Sequence, residues 1–251
     1  MLNYWKADAY RLVRSRSFWI LTMVAALGYV AGVFMISGPN YGADTHASII
    51  MMIGALATIF TGLGIYNSIY SQDIKAGAMR VAIGRGTGRT RIVVAKLIET
   101  IAVSVLVGAV YYVIFRFLPL VFGIAGADAL NRAIAVTVLQ LVLETIMFSS
   151  LASIVSMALQ ESVTATVVYV LLAAGVIDQL LGLLLKLNMI KDLVGDLTGY
   201  LPQTISSTLG TQISGVGGAG VSAGTVCVYI GYVVVSLLVA SWVFRRKELE
   251  F

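Results

Sequence analysis

Six long, nearly uncharged apolar runs punctuate the chain, at residues 18–36, 48–70, 97–122, 133–159, 163–185 and 224–244. Each is close to or above the roughly 20 residues that carry a helix across a bilayer core of about 30 Å. Period-two alternation is missing, and the runs are about twice the length of a barrel strand, so the pattern predicts helices and not a β-barrel. The expected fold is an all-α integral membrane protein of six transmembrane helices, built as one transmembrane domain over residues 1–251. A basic segment, residues 1–17, precedes the first run without a small-residue cleavage signal, so that run reads as a retained span.

Composition agrees with lipid as the main solvent. Of 251 residues, 59% are hydrophobic and 12% charged, against about 25% charged in a soluble domain. One cysteine, Cys227, excludes a disulfide framework, and one histidine, His46, excludes most histidine-built metal and catalytic sites. No metal site or catalytic residue is expected, and His46 reads as a solvated residue of the first outer loop. Lysines and arginines set the orientation. Lys6, Arg11, Arg14 and Arg16 precede the first run, Lys75, Arg80, Arg85, Arg89, Arg91 and Lys96 follow the second, and Arg245, Arg246 and Lys247 follow the sixth. Only Arg116, Arg132, Lys186 and Lys191 fall on the other side. Both termini are therefore expected in the cytoplasm, and the net charge of +5 is explained by contact with membrane lipid headgroups. Nucleic acid is not an expected partner.

At the amino terminus, Leu2, Trp5, Ala9, Leu12 and Val13 recur at helical spacing apart from Asn3, Lys6, Arg11 and Arg14. That describes an amphipathic helix in the interface, either a plain anchor or one that also touches a partner. Residues 71–96 form a loop longer than the connection needs. Ile74, Ala78 and Val81 suggest a short helix opened by Asp73 as its cap, and Gly84, Gly86 and Gly88 then break it. A nucleotide-binding loop is excluded, because Arg89 stands where such a loop has Lys and Ile83 where it has its first Gly. The composition alone fits a solvated positive-inside loop or a docking element.

Three stretches resemble ABC-2 type exporter permeases: the opening WKADAYRLVRSRSFWI, the closing WVFRRKELEF, and a D..G..R…G..R…K series formed by Asp73, Gly77, Arg80, Gly86, Arg89 and Lys96. The chain is most similar to short permeases of the lantibiotic-immunity and peptide-export kind. The resemblance implies a permease in the bacterial cytoplasmic membrane that dimerises with a second copy or a paralogue. It also implies a separate ABC ATPase subunit, which holds the ATP and Mg; this chain binds no cofactor. The ATPase would dock on residues 71–96, with Asp73, Ile74, Gly77, Arg80 and Val81 in a coupling helix and Gly86, Arg89 and Lys96 completing the segment. The expected substrate is an amphipathic peptide or lipid-like molecule.

Charges inside spans are costly unless paired or wet. Glu144 lies near the centre of the fourth run, one turn after Gln140 and ahead of Ser149, Ser150 and Ser153. This track could be interhelical glue or part of a substrate or proton path. Asp178 lies in the outer half of the fifth run, while Glu99 and Arg116 sit near interfaces where they can snorkel. A proton- or cation-coupled secondary transporter using Glu144 and Asp178 is the alternative, although no inverted repeat is evident. A paired His and Glu site and a GxSxG elbow are both missing, which argues against an intramembrane hydrolase. Gly28 and Gly32 have small-xxx-small spacing. In residues 186–223, Leu187, Ile190, Val194 and Leu197 predict an amphipathic outer helix, with a second short segment through Leu209 and a glycine-rich tether from Gly215 to Gly224. The resemblance implies that these short extracellular helices cap the pathway.

Overall fold

A computed structural model describes residues 10–37, 41–124, 128–187, 197–215 and 220–246, apart from the side chains of Arg80 and Ala129. Residues 1–9, most of the predicted amphipathic outer helix at 188–196, part of the glycine-rich tether at 216–219 and the terminal residues 247–251 lie outside the described residues. Among those described, every regular element is a helix. The long ones are α1 (Arg16–Ile36), α2 (Ala43–Tyr66), α5 (Arg89–Val121), α6 (Asp128–Leu159) and α10 (Ala223–Arg246). Between α2 and α5 come a π-helical turn (Asn67–Ser71), α3 (Gln72–Lys75) and α4 (Ala78–Gly84). After α6 follow α7 (Ser162–Ala173), α8 (Val176–Leu185), a 3₁₀ turn (Thr198–Tyr200) and α9 (Pro202–Ile213).

Among the described residues five helices are long and apolar enough to cross a membrane, or six segments if α7 and α8 are one bent span. The fifth apolar run is thus not one straight helix. α7 and α8 meet at 64°, where Gly175 takes a left-handed φ of 72° that costs glycine little. The Gln203 amide of α9 fills the inside of this corner, and a Cβ at Gly175 would lie 2.5 Å from Gln203 Oε1.

α6 is the hub, packed against α2, α5, α7, α9 and α10, and it is the most buried span while α1 is the least. Close approach depends on glycine at positions facing α6 and α7. A Cβ on Gly54 would come within 2.2 Å of Thr137, one on Gly62 within 2.0 Å of the Tyr169 hydroxyl, and one on Gly108 within 2.6 Å of Val142. Of the expected pair, Gly32 meets Ile49 and Ile53 whereas Gly28 faces open space, because α1 lies at the periphery of the bundle.

Helices also run beyond the apolar runs. α2 starts at Ala43, ahead of the expected Ser48, which carries His46 into the bundle. His46 is fully buried and is a correction to the solvated-loop expectation. Its Nε2 lies 2.7 Å from the Tyr29 hydroxyl and its Nδ1 bonds the Tyr41 hydroxyl. A neutral imidazole satisfies both, donating to one oxygen and accepting from the other. Tyr41 stands just before α2, and partial burial raises its phenol above the ordinary range, so it stays neutral. At the other end α5 starts at Arg89, so the last eight residues of the expected loop are its first two turns.

Candidate functional site

The end of the bundle that holds most of the basic residues is locked by a buried ion cluster. Asp73 and Lys96 have no exposed side-chain surface. The Asp73 carboxylate pairs with Lys96 of α5 and with Arg11, which lies in the helical residues 10–14 ahead of α1. Lys96 Nζ also lies 3.3 Å from Glu99 Oε2. Around the cluster, Gln72 Nε2 donates to Ser15 Oγ at 2.8 Å, and Ser15 Oγ is 3.1 Å from Ser68 Oγ. Ser15 caps α1 by accepting from the Phe18 N–H at 3.4 Å. Arg89 Nη1 donates to the carbonyls of Phe244 at 2.9 Å and Arg245 at 3.1 Å, favourable at the negative end of α10. The amino-terminal residues, the 71–96 segment and the end of α10 therefore meet at one place.

Within that segment the structure divides the predicted residues into inward and outward sets. Asp73 lies inside α3 and holds ion pairs, so its expected role as a helix cap is corrected. Gly77 (φ 62°) and Gly86 (φ 85°) make left-handed turns before and after α4, so Ile74, Ala78 and Val81 do not form one stripe on one helix. Met79 and Ala82 are the buried positions of α4, while Val81 is 55% exposed. Lys75, Ala76, Gly84, Arg85 and Gly86 are exposed as well. Arg80 is carried on α4. A compact helical elbow thus presents Lys75, Val81 and Arg85 outward from a base fixed by Asp73 and Lys96.

The opposite half of the bundle holds a different kind of site. Glu144 is 8% exposed and lines a cavity of about 460 Å³ with Gln140, Thr58, Gln203, Thr204 and Ser207. Asp178, also buried, lines an adjoining cavity of about 610 Å³ that shares Gln203 and Thr204 with the first. Asp178 Oδ2 accepts from the Gln203 backbone N–H at 2.7 Å, whereas its Oδ1 is buried without a partner. The serines of the expected polar track are not part of this site. Ser150 and Ser153 donate to the carbonyls of Ile146 and Ser150 on their own helix, both at 2.7 Å. Arg116, expected to snorkel, bonds the Asn131 side chain.

The short segment expected through Leu209 is α9, but its polar face toward the cavity is not part of that expectation. Pro202 at its N1 position is a helix-start signal, and Gln203, Thr204 and Ser207 fall at i, i+1 and i+4, one polar face that lines the cavity. No three His, Cys, Asp or Glu residues among those described are grouped as a metal site would need.

No family model matches the chain, and no curated protein matches it. Among the described residues the fold is all-helical, with five or six segments long and apolar enough to cross a membrane, the composition of a multi-pass membrane protein.

Proposed function

We propose that this chain is the membrane subunit of an ABC exporter of the ABC-2 type, a six-span permease with both termini in the cytoplasm of a bacterial cell. It works as a homodimer or as a pair with a paralogue, and it moves an amphipathic peptide or lipid-like substrate outward with ATP hydrolysed by a partner subunit. The observation that carries this reading is the elbow of α3 and α4. It offers an exposed surface at Lys75, Val81 and Arg85, while Asp73, Arg11 and Lys96 tie its base to the amino terminus and to α5. A push on such an elbow passes to α5 and to the entry of α1 without dissipating in a soft loop. The bend between α7 and α8 and the short helix α9 fit a cap over the outer end of the pathway.

Affinity purification from native membranes in mild detergent tests the reading. An ATPase subunit should accompany the wild type and be lost from Lys75→Glu/Val81→Asp, two exposed positions whose replacement spares the ion cluster. The same subunit retained at equal yield by the variant would refute docking on this surface.

The buried Glu144 favours a second reading, a proton- or cation-coupled secondary transporter using Glu144 and Asp178. Collapse of the proton gradient at constant ATP separates the two: an ATP-driven exporter keeps its efflux, and a proton-coupled one stops.

A further inference from the structure

We infer that the cavity beneath α9 is a binding site for the positively charged head of an amphiphile, an alkylammonium or the free amine of a peptide, with Glu144 as its counter-charge. This deepens the export reading by naming the substrate class. The cavity has two kinds of wall. One is polar and rich in hydrogen-bond acceptors: the Glu144 carboxylate, the Gln140 and Gln203 amides, and the Thr58 and Ser207 hydroxyls. The other is apolar, formed by Met51, Ala55, Ile59 and Ala173. No Lys, Arg or His lines it among the described residues.

A carboxylate more than nine-tenths buried is costly to keep charged unless a cation or several donors answer it. The lining of this cavity supplies no cation, in contrast to Asp73 at the other end. An ammonium group supplies both the charge and up to three donors, which the surrounding amide and hydroxyl oxygens accept. An alkyl or side-chain body then lies along Met51, Ile59 and Ala173. An anionic head would be repelled. A hard metal ion takes six or more oxygen ligands and leaves the apolar wall unused.

The adjoining cavity extends the same logic. Asp178 lines a space that shares Gln203 and Thr204 with the first. Its one basic lining residue, Lys186, is exposed. Two carboxylates on either side of one α9 wall give a cation consecutive stations along the outer half of the bundle.

The test uses the purified full chain in phosphatidylcholine nanodiscs and equilibrium dialysis with three probes of equal chain length: n-octylammonium, n-octanol and octanoate. The expected result is saturable octylammonium binding about tenfold tighter than that of the other two. Glu144→Gln should abolish this preference while leaving octanol binding unchanged, which shows the cavity intact. Gln140→Leu is a second variant in which octylammonium weakens more than octanol. Equal binding of the three probes to the wild type overturns the proposal, as does a preference that survives Glu144→Gln. Displacement of octylammonium by sodium ions at comparable concentration would also overturn it, in favour of an inorganic cation site. These outcomes need no ATPase, so they stand or fall separately from the capture of an ATPase subunit.

Discussion

Two buried carboxylates divide the molecule. Asp73 has its counter-charges built in, from Arg11 and Lys96 on two other elements, and it lies where three segments of chain converge. Glu144 is almost as deeply buried, yet amides, hydroxyls and an open volume surround it. The first arrangement is a fastening: each charge is satisfied by the fold, and its removal leaves another stranded. The second is incomplete in charge, and incompleteness beside a cavity is what a binding site needs. Burial alone therefore does not tell a structural acid from a functional one. The identity of the neighbours does.

The largest expected effect comes from breaking the fastening. Asp73→Ala removes the carboxylate that pairs with both Lys96 and Arg11, and removal of one partner of a buried ion pair costs about 3–5 kcal/mol. A thermal unfolding series in detergent should show a large fall in midpoint, and Asp73→Leu/Lys96→Met, which removes both buried partners, should recover much of it. A small fall in the single variant would mean that the cluster is wetter and looser than its burial indicates.

A smaller effect is expected where α2 meets α7. Gly62→Ala puts a methyl 2.0 Å from the Tyr169 hydroxyl, and overpacking of this kind costs about 1–3 kcal/mol. Tyr169→Phe should relieve part of that loss. Gly28→Ala meets nothing within 4 Å and serves as the silent control in the same unfolding assay.

The smallest effect on stability sharpens the contrast most. Glu144→Gln replaces a buried carboxyl that has no cation in the cavity lining by a neutral amide of nearly the same shape, so stability should fall far less than in Asp73→Ala. Substrate efflux should fall all the same. A Glu144→Gln protein as destabilised as Asp73→Ala would place Glu144 with the structural acids.

Much of the fold is written in the apolar runs, because lipid selects composition over whole turns of helix. The ends of the helices are not. Arg89 to Lys96 are helical although polar residues interrupt the run, since lipid hydropathy marks where the membrane begins and not where hydrogen bonding begins. The corner at Gly175 is equally silent in sequence: a glycine in an apolar run reads as packing, and only the Gln203 amide lodged against it shows a bend. His46 was legible only as a polar residue before an apolar run. Its partners Tyr29 and Tyr41 include one from another span, and no local pattern carries such a pairing. The same holds for Arg11, Asp73 and Lys96. All three stand out as charges in the sequence, but which of them face inward is a property of three elements packed together. Glu144 and Gln140 were visible as a polar pair one turn apart, whereas the α9 wall opposite them lies some sixty residues later.

Whether an ATPase docks on the α3–α4 elbow is read out by site-specific photocrosslinking in native membranes. A photoreactive residue is placed at Val81, exposed on α4, and in a parallel sample at Ile213, exposed at the end of α9. Val81 should form an adduct with a nucleotide-binding ATPase subunit, identified by mass spectrometry, and Ile213 should form none. No ATPase adduct at Val81, or equal adducts from both positions, would contradict it.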